Sequence, residues 1–322
     1  MKVVSSILAS TVVSGIVLAC GGSSSNGANG PVKVTDKTLG AIADSFCDRI
    51  AACYGDFFVK ALMGDTATCK FRLELEVKAS AKGPGVQIED AEAARCKAAV
   101  DAAACNTLLA DGVKECDFRG TLADGAACAN DSQCTSGGCY VDAKTDCGKC
   151  GTRAAEGADC TSSRCARSLT CSAANKCVKT VAEGGACDTN IPCEPSLSCI
   201  RAKCGKGLAS GAACKNAENE TPCDGFAGLF CKPPSATVAD GTCAPFTVAT
   251  ANQLCGVTLQ PTVDYAFCKN SQCVGATSTT RGTCKSFLED GAACDATKQP
   301  DCQFPAKCRN GKCAMLDPAF CK

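Results

Sequence analysis

"LEDGAACDATKQPDCQFPAKCRNGKCA", Leu288–Ala314, carries the pattern on which the fold turns. A Gly-containing opener leads to Cys294, and Cys302, Cys308 and Cys313 follow. Asn310-Gly311, between the last two cysteines, is the dipeptide favoured in a type I′ hairpin turn. A unit of about 30 residues lies below the size at which a chain folds on its core alone. Two disulfides closing loops of ~15 residues contribute roughly 3 kcal/mol each, the stabilisation such a unit lacks.

The opener is repeated, which makes the C-terminal part an array. "LADGAAC" ends at Cys128, "AAEGADC" at Cys160, "VAEGGAC" at Cys187 and "LASGAAC" at Cys214, and a degenerate "ANQLC" ends at Cys255. First cysteines stand 32, 27, 27, 41 and 39 residues apart, so units four and five hold insertions. Each opener leads to three further cysteines, and the first and last units have one extra each, assigned to Cys150 and Cys321. Four cysteines admit three pairings, and spacing leaves all three open. The expectation is first to third and second to fourth, which ties each hairpin to its opening loop. That joins Cys160 to Cys171, Cys165 to Cys177, Cys187 to Cys199, Cys193 to Cys204, Cys294 to Cys308 and Cys302 to Cys313.

Composition agrees with a stapled build. The chain has 33 cysteines in 322 residues, no Trp and 15 aromatics, too few for one large core. Lys plus Arg equals Asp plus Glu at 33 each, so the basic excess needed for a nucleic-acid partner is missing. There is no histidine. That excludes Ser-His-Asp and Cys-His nucleophile systems and His-based catalytic zinc. Cys147-Gly148-Lys149-Cys150 is a C-x-x-C without the βαβ context of a redox dithiol, and reads as two bridge cysteines. Glu74 and Glu76 lie about 200° apart around a helix, so they form no carboxylate pair and read as solvated. No catalytic residue, metal ligand or cofactor is expected.

Between residues 35 and 120 the period is helical. Leu39, Ile42, Ala43, Phe46, Ile50 and Cys53 mark one apolar face, and Cys69, Leu73 and Val77 a second. Gly83-Pro84-Gly85 ends that stripe, and a third helix is predicted from Glu89-Asp90 to about Ala104. Thr35 or Asp36 is the expected cap of the first. Six cysteines (Cys47, Cys53, Cys69, Cys96, Cys105 and Cys116) allow internal pairing. The fold class expected is small and disulfide-rich. A disulfide-tied α-helical domain (35–120) precedes about six short Cys-rich β-hairpin repeats (121–322).

Disulfides on this scale require an oxidising compartment. Met1-Lys2 followed by the uncharged run Val3–Ala19 reads as an export signal (1–19). Val17-Leu18-Ala19-Cys20 resembles the signal of bacterial lipoproteins, in which the cysteine is lipidated and becomes the mature N-terminus. The resemblance implies diacylglycerol on Cys20, a membrane partner through that lipid, and 32 cysteines left for sixteen bridges. Gly/Ser/Asn-rich residues within 20–34 read as a tether with a reach of roughly 17–20 Å. Gly21 lacks the Asp that retains some lipoproteins at the inner membrane, which favours the outer membrane or cell surface.

The G-x-x-C openers, C-x5-C spacing and G-K-C hairpin give a second resemblance, over about Leu122–Lys322, to Dickkopf N-terminal-like or EB-like modules. It implies a non-enzymatic extracellular binding or structural unit, with a protein or polysaccharide as partner. Phe226, Phe230 and Phe246 are candidates for hydrophobic recognition or for packing under long loops. A disulfide-rich protease inhibitor presenting the insertion Lys232–Gly241 is the alternative.

Overall fold

The computed structural model describes residues 33–110, 112–141, 146–161, 163–215, 222–259, 263–277 and 279–321. The export signal, Cys20 and the tether lie outside the described residues, apart from the tether's last two positions. The molecule is disulfide-rich, with helices at one end of the sequence and small, mostly antiparallel sheets along the rest.

Four helices come first: α1 Asp36–Met63, α2 Thr66–Ala81, α3 Asp90–Ala102 and α4 Cys105–Ala110. Thr35 caps α1, its hydroxyl accepting from the Thr38 N–H at 3.2 Å. Gly55, at φ 75°, kinks α1 where a residue with a side chain would be strained. Glu89 and Glu92 form a capping box on α3. Leu39, Ile42, Ala43 and Ile50 of α1 are buried against Leu73 and Val77 of α2 and Val100 of α3. Cys47–Cys69 ties α1 to α2, Cys53–Cys105 ties α1 to α4, and Cys96–Cys116 ties α3 to the turn after α4.

The six units share one construction. In every unit the first cysteine is bonded to the third and the second to the fourth. The bridges are Cys128–Cys139 with Cys134–Cys150, Cys160–Cys171 with Cys165–Cys177, and Cys187–Cys199 with Cys193–Cys204. They continue with Cys214–Cys231 and Cys223–Cys243, Cys255–Cys273 and Cys268–Cys284, and Cys294–Cys308 and Cys302–Cys313.

The opener motif has a backbone cause. Gly125, Gly157, Gly184, Gly211 and Gly291 each donate their N–H to the carbonyl of their own unit's fourth cysteine, at 2.7–2.8 Å. All five have φ between 80° and 86°, which Gly reaches without strain. In the degenerate unit Asn252 makes the same bond to Cys284 at 2.7 Å with φ 67°. Asn is among the few other residues that tolerate this region. Asn310 and Gly311 both have positive φ in the last hairpin, as a type I′ turn requires.

One assignment is corrected. Cys150 accepts from Gly125 and pairs with Cys134, so it is the fourth cysteine of unit one. The extra cysteine is Cys147, which bonds Cys321 across a separation of 174 residues. The C-x-x-C pair is therefore split between two bridges.

Cys147–Cys321 closes the array into a ring, and each unit in turn touches the helices or the turns that join and follow them. Gln133 of unit one donates to Pro84 O at 3.0 Å, and Arg167 of unit two donates to Gly112 O at 3.1 Å and pairs with Asp117. Glu194 of unit three accepts from Asn106 at 3.3 Å. Phe226 of unit four packs at a tilt 5.4 Å from Tyr54, and Asn270 of unit five donates its N–H to Ala61 O at 3.3 Å. In unit six, Asp290 is held by Arg72. The array is a hoop and the helices are its hub.

Candidate functional site

The hoop's seam, where units one and six meet α2, holds both a set of close polar contacts and a cleft. Asp146 takes Lys307 Nζ at 2.5 Å and Arg309 Nη2 at 2.8 Å, beside Cys147–Cys321. Burial works against its charge, but the hydrogen bonds and positive charges of Lys307 and Arg309 outweigh that and hold the carboxyl below the usual range. Arg72 is 4% exposed. It grips both oxygens of Asp290 at 2.7 and 2.9 Å, and donates to the carbonyls of Phe304 at 2.5 Å and Gln303 at 2.7 Å. A second polar node joins unit one to unit two: Asp131, 1% exposed, accepts from the Cys139 N–H at 2.7 Å and from Arg153 at 3.1 Å.

Between these contacts lies a cleft of about 130 Å³. Val77, Ile88, Pro305, Met315 and Leu316 supply apolar walls, and Asn130 and Ser132 polar ones. Glu76 of α2 reaches into it, which corrects the reading of this residue as solvated. Its side chain is half-buried, but Oε2 is sealed from solvent and has no hydrogen-bond partner among the described residues. Desolvation raises its pKa to about 8 against a weak opposing pull from Lys307. Glu74, on the other side of α2, is the ordinary case, paired with Lys78 at 2.6 Å.

The chain matches no protein-family model, no curated protein and no solved structure.

Phe226, Phe230 and Phe246 pack rather than stand free. Phe246 stacks between Phe230 at 5.2 Å and Phe57 of α1 at 5.4 Å, with Tyr265 edge-on at 5.1 Å. They fasten units four and five to the hub. The Lys232–Gly241 segment does present exposed residues, Val238 among them at 40%. The cysteine triplets in each unit, such as Cys128, Cys134 and Cys150, come within metal-ligand range of one another. All are disulfide-bonded, so none offers a thiolate. The sequence pattern singles out none of Arg72, Asp131 and Asp146 as site residues; Asp131 finds its partners within units one and two, whereas those of Arg72 and Asp146 lie in unit six and reach them only through the closure of the hoop.

Proposed function

We propose that this protein is a non-enzymatic lipoprotein of the bacterial envelope, anchored through Cys20 and exposed at the outer membrane or cell surface. A disulfide-tied helical domain (35–120) would then carry about six Dickkopf- or EB-like repeats (121–322) as a binding or structural module. The observation that carries the reading is the cysteine inventory. All 32 described cysteines are bridged, and Cys20, in a lipoprotein-type signal, is left over from the 33. A two-chain lipid anchor would hold the module stably at a membrane. A hoop stapled in every unit suits an exterior exposed to proteases, because short bridged loops cannot open far enough to enter a protease cleft.

Metabolic labelling with a fatty-acid analogue tests the anchor: wild type takes label and Cys20→Ser does not. Equal labelling of both refutes the assignment. The protease-inhibitor reading rests on the exposed segment near Val238, flanked by the bridged Cys231 and Cys243. Stoichiometric inhibition in a protease panel would favour it, and none would remove it.

A further inference from the structure

We propose that the cleft between α2 and the seam of the hoop is a binding site for a primary alkylammonium group, with Glu76 as its carboxylate partner. The argument begins with what Glu76 lacks. A buried carboxyl is normally matched by donors or a cation, because an unmatched one is expensive to keep. The other buried acidic groups of the ring joints have such partners: Asp131 has Arg153, and Asp146 has Lys307 and Arg309. Oε2 of Glu76 has none among the described residues, and Glu76 is one of the residues that line the cleft.

The opposing charge that acts on Glu76 is already used. Lys307 acts on Glu76 through space, but its Nζ is bound to Asp146 Oδ1 at 2.5 Å. Asp146 is shared with Arg309, so both cations of the seam are held by one carboxylate. A ligand cation would therefore find Glu76 unengaged.

Size and lining choose the kind of cation. An apolar cavity of about 150 Å³ takes benzene, six heavy atoms, and this cleft is of similar volume at about 130 Å³. Its walls at Val77, Ile88, Pro305, Met315 and Leu316 suit an alkyl chain, not a hydrated metal ion. A chain of four or five carbons ending in –NH₃⁺ fits that description. A free alkylamine and the side chain of a partner's lysine both supply it. An alkylamine, with a pKa near that of lysine at about 10.4, stays protonated opposite an acid whose pKa is about 8. The bound pair is thus ammonium and carboxylate, and binding below pH 8 releases one proton from Glu76.

The site goes beyond the envelope-lipoprotein reading and does not depend on the anchor, which the labelling experiment tests separately. Titration calorimetry on the oxidised full-length protein with n-pentylammonium, n-pentanol and pentanoate tests the site. Pentylammonium is expected to bind at least tenfold tighter than the other two. Its affinity should rise about tenfold from pH 6 to 7, about fivefold from 7 to 8, and then level off, with nearly one proton released to buffer at pH 7. Glu76→Gln should lose at least tenfold, and Leu316→Trp, which fills the cleft from the opposite wall, should lose binding without touching the carboxyl. Nα-acetyl-lysine amide binding as well as pentylammonium assigns the site to lysine side chains; pentylammonium alone assigns it to free amines. Equal binding of pentanol, a flat pH profile, or unchanged affinity in both variants overturns the proposal.

Discussion

Removing Cys147–Cys321 through Cys147→Ser/Cys321→Ser asks whether the hoop is one cooperative structure or six independent units. The bridge spans 174 residues. In the unfolded chain the other bridges provide short cuts, leaving a shortest covalent path of roughly 100 steps, for which chain entropy gives about 4.7 kcal/mol. A bridge inside one unit, such as Cys160–Cys171 with its separation of 11, closes a far shorter loop. The same model assigns such a loop about 3 kcal/mol.

Two structural accounts give opposite rankings for these bridges. If the six units unfold with the hub, opening the seam lowers the unfolding free energy by up to about 4.7 kcal/mol, more than deleting Cys160–Cys171 does. If the units melt one by one as in a linear repeat protein, opening the seam releases only the chain near units one and six. The hub contacts from Gln133 to Arg72 favour the first account, since every unit is fastened to the same core. Guanidinium unfolding under non-oxidising but non-reducing conditions, followed by circular dichroism and by hydrogen exchange in units two to five, separates them. A shift under 0.5 kcal/mol, with exchange in units two to five unchanged, would refute the cooperative hoop.

Further outcomes follow from individual contacts. Arg72→Met leaves the Phe304 and Gln303 carbonyls without their donor and should destabilise by about 2–3 kcal/mol. Arg72→Lys should not restore it, because an ammonium cannot span both oxygens of Asp290; thermal melts at pH 7 check both. Glu76 has its folded pKa raised to about 8, so its contribution is favourable at acid pH and is lost as pH rises from about 4.3 towards 8. Glu76→Gln should therefore raise Tm at pH 8 and change it little at pH 4, and an equal change at both pH values would contradict the burial argument. The Asp146 carboxyl is held low, so its seam contacts are present above about pH 3.9 and are lost as pH falls through its folded value. Asp146→Asn should show a smaller acid-induced drop in Tm than wild type. Intact mass before and after alkylation should show no free thiol in the mature chain.

Much of the repeat architecture was legible because it is local. Opener, cysteine spacing and hairpin turn all fall within one unit, where a positive-φ glycine and a fixed set of cysteines leave the backbone little choice. The apolar faces of α1 and α2 were legible for the same reason, since a 3.6-residue period is a short-range signal. The extra cysteine of unit one was misplaced because Cys147 and Cys150 are three residues apart and equally plausible by spacing; the partner that separates them lies 174 residues away. Glu76 was misread because its helix position says only which way it points. Whether that direction is water depends on Pro305 and Met315, near the other end of the chain.

The hub explains why units this small can be strung together without a core of their own. Beyond their sulfurs, the units bury little. In units one, five and six, the small buried clusters consist of the bridge cysteines with at most a few apolar neighbours. What they lack individually they obtain by docking: aromatics of units four and five on Tyr54 and Phe57, Arg72 of α2 in unit six, Asp117 beneath unit two. The docking contacts differ from unit to unit while the internal bridges do not, so position in the hoop is encoded on the outside of each repeat and folding competence on the inside. The seam is where that division breaks down. There a unit-one cysteine, a unit-six cation pair and an α2 carboxyl meet, and the joint forms a cleft lined by an acid that has no partner among the described residues.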